Sequence, residues 1–128
     1  MSLFLEEVDD LLPEYVHYGA YISEQDLRTV IHEMSHQKVD ADQKWGKRLM
    51  EPDMVETLYL MLNNYRYHNE DVYRAILQEW RKGNFQNAVE HHNVILELQN
   101  GTIGRATRLL TPEEEQIYIE TVKILENK

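Results

Sequence analysis

The chain has 128 residues, of which 42% are apolar, enough for one domain with one core. Its formal net charge of −10 argues against general binding to nucleic acid or to an anionic membrane surface. Because the chain has no cysteine, disulfides, thiolate metal sites and cysteine nucleophiles are excluded.

Helical periodicity recurs along the first half of the chain, whereas strand patterns are nearly absent. Residues 1–22 are predicted to be a short helix, ended by Pro13, and a tyrosine-rich loop that packs on the body. Ser23 is predicted to cap a helix with a core stripe of Leu27, Val30, Ile31 and Met34. Residues 39–50 are polar and irregular, and are predicted to form a loop.

From Pro52 onward, the chain contains the start and stop signals of four further helices. Pro52 suits a first helical position, and Asn69 can cap the next helix, which ends near Gly83. A helix from Phe85 to Gln99 follows. The run Thr111-Pro112-Glu113-Glu114 starts the last helix, whose core residues are drawn from Ile117, Tyr118, Val122 and Leu125.

These elements predict an all-α fold, a single compact domain of five to six helices with short connections. The segments 70–82 and 85–99 are predicted to form one helical hairpin. The helical domain is expected to span residues 23–128, with residues 1–22 attached to it.

Residues 32–36 read HEMSH, which matches the H-E-x-x-H pattern of zinc metalloproteases. Two imidazoles one helical turn apart can bind one Zn²⁺, and Glu33 between them can act as a general base. His32 and His36 lie nearly opposite the core stripe of their helix. That face would line the cleft of a protease and would otherwise face solvent.

A third protein ligand is not evident in the sequence. The extended protease motif would need a glycine and a histidine where Val39 and Asp42 stand. Glu56 or Glu70, on later helices, could serve, but neither has a distinguishing context. The main hypothesis is therefore a domain without catalytic residues or a cofactor. The alternative is a zinc hydrolase with His32 and His36 as ligands and Glu33 as base; the two histidines can also chelate Zn²⁺ or Ni²⁺ without hydrolysis.

His92 lies within an apolar stripe of its helix. It is predicted to be a core histidine hydrogen-bonded to the backbone or a neighbour, with an internal polar pocket as the alternative. His91 and Asn93 beside it are predicted to be more exposed. Trp45, in the sequence KWG, is predicted to pack over the core edge, and stacking on a ligand is the alternative.

The sequence QNGTIGRATR contains two glycines followed by two arginines. Gly101 and Gly104, on either side of Thr102 and Ile103, could let backbone N–H groups approach a small anion or a peptide. Arg105 or Arg108 would support that anion. A helix end followed by a turn explains the same glycines without a ligand.

The combination of HEMSHQKVDADQKWG, EDVYRAILQEWRKGNF, HHNVILELQNGTIGRA and LTPEEE resembles an uncharacterised family of Bacillus and related Firmicutes proteins, a domain of unknown function, over residues 24–120. The resemblance implies that the following residues are signature positions: His36, Gln37, Lys38, Lys44, Trp45, Gly46, His92, Asn93, Gln99, Gly101, Thr102 and Gly104. In that family the position of Glu33 is not always glutamate, so a protease mechanism does not define it.

The resemblance also implies an N-terminal membrane anchor in many members. The full-length form is therefore expected to be membrane-anchored and extracytoplasmic, with the native anchor missing from this sequence and no membrane contact by this chain itself. The sequence itself does not fix a compartment. The resulting hypothesis is a non-enzymatic helical domain that binds a protein or a small ligand. Its signature residues are expected to join the HEMSH helix, the KWG loop and segment 85–104, with His36 or His92 near Trp45 or the GTIG loop. The candidate binding residues are His36, Lys38, Trp45, His92, Asn93, Gly101, Thr102 and Gly104.

Overall fold

The computed structural model describes residues 22–42, 44 and 46–126. Five helices and two strands occur in these residues. The helices are α1 (Glu24–Ser35), α2 (Pro52–Asn64), α3 (Glu70–Arg81), α4 (Ala88–Leu98) and α5 (Pro112–Glu126), and the strands are β1 (Val39–Ala41) and β2 (Ala106–Leu109). The protein is mostly helical, as predicted, but it is not purely all-α. The helix and loop predicted within residues 1–22 lie outside the described residues, apart from Ile22.

Local capping signals place two of the helix starts. The Asp26 N–H donates to Ser23 Oγ at 3.1 Å, so Ser23 caps α1 as predicted. At the start of α5, the Glu114 N–H donates to Thr111 Oγ1 at 3.1 Å, and the Thr111 N–H donates to Glu114 Oε1 at 2.9 Å. This reciprocal pair is a capping box, which explains why the helix begins at the neighbouring Pro112.

The start of α3 uses a side chain from another helix. Asn69 precedes α3 as predicted, but its side chain makes no capping hydrogen bond. Instead, the Glu24 carboxylate accepts the N–H groups of His68 and Asn69 at 2.7 and 3.1 Å, and the Tyr73 hydroxyl at 2.6 Å. Burial opposes ionisation of Glu24, but these hydrogen bonds outweigh it and keep its pKa below the usual value.

The two-stranded sheet corrects the prediction of a loop over residues 39–50. Strands β1 and β2 pair antiparallel, with Val39 opposite Leu109 and Ala41 opposite Ala106. An irregularity in the register follows Asp40. Strands of three and four residues are too short to show the alternation that identifies a strand in a sequence. Their pairing depends on contacts between segments more than sixty residues apart, which no local pattern encodes.

The described chain divides into two compact units. The first comprises the described residues up to Thr29 together with Glu51–Asn84, and the second comprises Val30–Met50 with the described residues from Phe85 onward. A single domain over residues 23–128 therefore stays a prediction. The boundary falls within α1, so the capping residue Ser23 lies in the first unit and the HEMSH residues lie in the second.

A helical hairpin forms the first unit, but its members differ from those predicted. Helices α2 and α3 pack together, and Arg81 Nε donates to Glu56 Oε1 at 2.7 Å while its guanidinium lies 4.1 Å from the centre of the Tyr59 ring. The predicted partner of α3, segment 85–99, belongs to the second unit. The apolar face of the hairpin is fully buried at Leu58, Met61, Tyr73, Ile76 and Leu77.

In the second unit, a small apolar cluster contains Val39, Ala88 and Ala106, one residue from each of β1, α4 and β2. Helix α5 buries Tyr118 and Val122, which lie one turn apart on one face. The other two candidate core residues of α5 are exposed: Ile117 by 63% and Leu125 by 52%. No helix of the described part of the chain is long and apolar enough to cross a membrane.

Candidate metal site

Three histidine rings meet in the second unit. His32 lies on the last turn of α1, His36 follows directly after that helix, and His92 lies on α4. The centre of the His32 ring is 4.9 Å from that of His36 and 4.7 Å from that of His92, and the latter two centres are 5.3 Å apart. One nitrogen of each ring lies within 4.8 Å of the other two. In the described residues, this is the one group of three or more histidine and acidic side chains with such a spacing.

A hydrogen bond determines which ring nitrogen of His36 carries the proton. His36 is fully buried, and its Nδ1 lies 2.7 Å from the Gly46 carbonyl oxygen. A carbonyl oxygen can only accept, so Nδ1 carries the hydrogen and donates it. In the neutral ring, Nε2 is then left with a lone pair. This Nε2 atom is buried and has no hydrogen-bond partner among the described residues.

His92 is held in the same way through Asn93. The Ala106 N–H donates to Asn93 Oδ1 at 2.8 Å, and Asn93 Nδ2 donates to the Ala106 carbonyl at 3.0 Å, which fixes the orientation of the amide. His92 Nδ1 lies 3.0 Å from Asn93 Oδ1 and must donate to it. The Nε2 atom of His92 therefore carries a lone pair, and within the described chain it too is buried without a partner.

His32 completes the cluster at its more open side. The residue is half-buried, and its Nδ1 lies 2.6 Å from Gln99 Oε1, beyond the end of α4. With this amide oxygen as acceptor, Nδ1 of His32 also carries the hydrogen. Ser35 Oγ donates to the His32 carbonyl at 2.6 Å and ties the last turn of α1 together. All three rings thus use Nδ1 toward a protein acceptor and keep Nε2 for another partner.

Burial keeps the two inner rings neutral. Desolvation is the main cause that lowers the pKa of His36 to about 3. The hydrogen bond to Gly46 acts against it, and the neighbouring His32, His92 and Lys44 act in the same direction as burial. Desolvation likewise lowers the pKa of His92 to about 4. Near neutral pH both Nε2 atoms therefore present lone pairs and cannot satisfy themselves by taking up a proton.

The cluster has the chemistry of a metal site. A water molecule has two hydrogens and can donate to two lone pairs, whereas a metal ion can accept three. Imidazole suits Zn²⁺, Cu²⁺ and Ni²⁺, and metal-bound histidines usually donate their other nitrogen to a protein oxygen, as His32, His36 and His92 do here. In tetrahedral Zn²⁺ coordination, ligand nitrogens lie about 3.4 Å apart. One nitrogen of each ring lies within 4.8 Å of the other two, so binding one ion would bring the rings closer together.

The candidate general base is held by an arginine. Glu33 Oε1 accepts from Arg48 Nε at 3.0 Å and from Arg48 Nη2 at 2.9 Å. The Glu33 carboxylate also packs against Gly46, where a Cβ atom would collide with it. Gly46 has a φ of +81°, which favours glycine as well. Tyr118 completes this junction, because its hydroxyl accepts the Arg48 N–H and donates to the Arg48 carbonyl, each at 3.0 Å.

The two glutamates considered as third ligands lie in the first unit. Glu56 pairs with Arg81 at 2.7 Å, and Glu70 pairs with Arg74 at 2.8 Å. The three-residue group contains neither of them, and His92 occupies the third position instead.

The Gln37-Lys38 pair lies beside the histidines but joins α5. Gln37 Nε2 and Lys38 Nζ both donate to Glu115 Oε2, at 2.8 and 2.7 Å, and Lys38 Nζ lies 4.1 Å from the centre of the Phe85 ring. Gln37 Oε1 accepts the Met50 N–H at 2.7 Å. These contacts give Gln37 and Lys38 a structural role at this junction. Trp45 lies outside the described residues, although the adjacent Gly46 contacts His36.

The glycine loop after α4 is largely engaged in capping. The Gly101 N–H donates to the Leu96 carbonyl at 2.9 Å, and Asn100 takes the left-handed conformation with a φ of 60°. Gly104 is buried with a φ of 90°, and Thr102 is exposed. The two arginines expected to support an anion form ion pairs: Arg105 with Glu97, and Arg108 with Asp40 and Glu114.

From the sequence, we did not predict that His32, His36 and His92 lie together. The exposure predicted for Asn93 was wrong, since Asn93 is buried and fixes the His92 ring. The HEMSH face was expected to line a cleft or face solvent, but His36 is fully buried on it. The available signal was His92 itself, a histidine within an apolar stripe, which becomes a third ligand candidate once α4 lies beside α1.

Comparison with known proteins places the chain in a family but assigns no activity. No curated protein and no solved structure matches it. The model of a family of unknown function (DUF6241) matches residues 31–120, most of the chain and all three clustered histidines, so the chain belongs to that family.

Proposed function

We propose that the protein is a metal-binding domain that holds a divalent transition metal ion, Zn²⁺ in the first place, through the Nε2 atoms of His32, His36 and His92. One observation carries the proposal: the buried Nε2 atoms of His36 and His92 have no partner among the described residues and meet His32 in one cluster. Leaving a buried acceptor unpaired costs about 1–3 kcal/mol. Metal binding would recover this cost.

The hydrogen-bond acceptors of the three rings support the same assignment. The Gly46 carbonyl and the amide oxygens of Asn93 and Gln99 hold the Nδ1 atoms, so the tautomer that binds metal through Nε2 is already selected. Gln99 follows α4, Asn93 is anchored to β2, and Gly46 lies in the loop after β1. The ligands are therefore oriented by several separate segments of the second unit, which favours a defined site over accidental chelation.

Hydrolysis is not part of the proposal. A zinc protease needs its glutamate beside the metal-bound nucleophile, whereas Glu33 pairs with Arg48 and packs on Gly46. Residues 32–36 thus supply two ligands and a structural ion pair. The non-enzymatic hypothesis is retained in this form, as a binding domain whose ligand is a metal ion.

Metal analysis of protein without a polyhistidine tag tests the proposal. We expect stoichiometric Zn²⁺ after reconstitution of the EDTA-treated protein, and a rise in thermal stability on Zn²⁺ addition. The variants His36→Gln and His92→Gln should lose the metal, while His68→Gln, at an exposed histidine outside the cluster, should keep it. Folded wild-type protein that binds no Zn²⁺, Ni²⁺, Co²⁺ or Cu²⁺ more tightly than the variant that carries both His36→Gln and His92→Gln would refute the assignment.

A further inference from the structure

Three histidines leave one coordination position of a bound ion for a further ligand. The positive charge of Lys44 favours a negatively charged ligand at that position. Structural zinc sites are usually closed by four protein ligands, whereas sites with three protein ligands keep one position open. The group formed by the described residues has three members. The acidic residue within the motif, Glu33, is engaged by Arg48. Apart from the three histidines, no histidine or acidic side chain of the described residues belongs to this group.

The ligand set is also uncharged. Three neutral imidazoles leave the full 2+ charge of a bound ion uncompensated, and partial burial strengthens the interaction of that charge with an anion. Thiolates are absent from the sequence, and carboxylates are absent from the described group. A negatively charged fourth ligand would offset the charge that the protein leaves.

Lys44 adds a positive charge beside the backbone of His36. Its Nζ donates to the His36 carbonyl at 3.1 Å and lies 5.2 Å from the centre of the Tyr118 ring. The side chain is partly buried. Lys44 belongs to none of the ion pairs that the described residues form. The acidic groups whose charges reach it, Asp40 and Glu114, both pair with Arg108.

His32 is the least buried member of the cluster. His36 and His92 are fully buried, whereas His32 and the neighbouring Gln99 are half-buried. The side of His32 is therefore the side from which a further ligand would approach.

We infer that the metal ion bound at this cluster takes a small anion, of the carboxylate class, as its fourth ligand, and that Lys44 is a positioning residue for that anion. The inference rests on the proposed metal site. It makes the domain a receptor for a small anion, in which the ion supplies the coordination bond and Lys44 supplies a fixed charge near it.

The test uses the full chain loaded with Co²⁺, whose visible spectrum reports the ligand set, and acetate and azide as probes. We expect a saturable spectral change with each anion. Lys44→Gln should weaken anion binding about tenfold, with unchanged Co²⁺ stoichiometry, while Lys44→Arg should retain most of the affinity.

The outcomes separate the two proposals. A Co²⁺ spectrum that neither anion changes would mean that the site is closed, which overturns the anion inference and leaves metal binding intact. Equal anion affinities for wild type and Lys44→Gln would overturn the role of Lys44. Failure to bind Co²⁺, and equally Zn²⁺, Ni²⁺ and Cu²⁺, would refute the proposed function itself.

Discussion

The buried histidines predict that the metal-free protein loses stability in mild acid. In the folded protein the pKa of His36 is about 3 and that of His92 about 4, while both are near 6.5 in the unfolded chain. A folded-state pKa below the unfolded value means that the fold favours the neutral ring. The stabilisation is therefore complete above pH 6.5 and is lost as the pH falls below 6.5 toward 4.

The size of this stability loss follows from the difference in proton binding between the folded and the unfolded chain. At pH 5.5 the unfolded chain gains about 1.4 kcal/mol for each histidine that protonates only when unfolded. His36 and His92 together should lower the free energy of unfolding by about 3 kcal/mol between pH 7.5 and 5.5. Ordinary carboxylates titrate mainly below this window, so their contribution to the change is small.

Urea denaturation at a series of pH values in the presence of EDTA measures this loss. His92→Gln should remove about half of the pH dependence, whatever it does to stability at pH 7.5, while the exposed-site control His68→Gln should leave the slope unchanged. A loss below about 0.5 kcal/mol in the wild type would contradict the burial argument, since that is within the range of ordinary surface effects. Saturating Zn²⁺ should steepen the loss, because protons compete with the metal for the same nitrogens.

Three further predictions concern the junctions that hold the site, and urea denaturation checks each. Ser23→Ala removes the α1 cap and should cost about 1 kcal/mol; an unchanged midpoint would show that the cap contributes nothing. Gly46→Ala introduces a side chain at a φ of +81° and should cost about 1–3 kcal/mol, so a stabilised variant would contradict the strain argument. Tyr118→Phe removes the hydroxyl that pairs the partly buried Arg48 backbone groups and should cost about 0.5–1.5 kcal/mol. Tyr59→Phe, which removes one surface hydrogen bond of 3.5 Å, is its control, and equal losses would argue against a special role for Tyr118.

Helix boundaries were the predictable part of this fold because their signals are local. The Ser23 cap and the Thr111-Glu114 capping box act within four residues, and Pro52 needs only its own fixed φ. The start of α4 was predicted three residues early, at Phe85, where apolar periodicity continues without a cap. Periodicity reports which face is apolar, and it does not report where a helix begins.

The sheet and the hairpin were not predictable in the same way. Strand β1 pairs with a segment near residue 108, and β2 has one buried residue, Ala106, followed by three exposed ones. The partner of α3 could not be identified from amphipathic pattern alone, since α2 and α4 both present suitable apolar faces and both have short connections to α3. Packing between distant segments determines both the strand pairing and the helix that packs against α3.

The HEMSH sequence shows that the spacing of a motif determines only a small part of a binding site. The metal and protease hypotheses share His32 and His36 and differ only in Glu33 and in the third ligand. Both differences depend on distant residues: Arg48 draws Glu33 into an ion pair, and His92 joins the two rings from α4. A motif on one helix therefore specifies two ligands, while the reaction, if any, depends on what the rest of the fold places beside Glu33. Arg48→Ala would free the Glu33 carboxylate without touching the histidines, and metal affinity should then be retained because Glu33 is outside the ligand group. A loss of metal equal to that of His92→Gln would show instead that the ion pair is what holds the ligands in place.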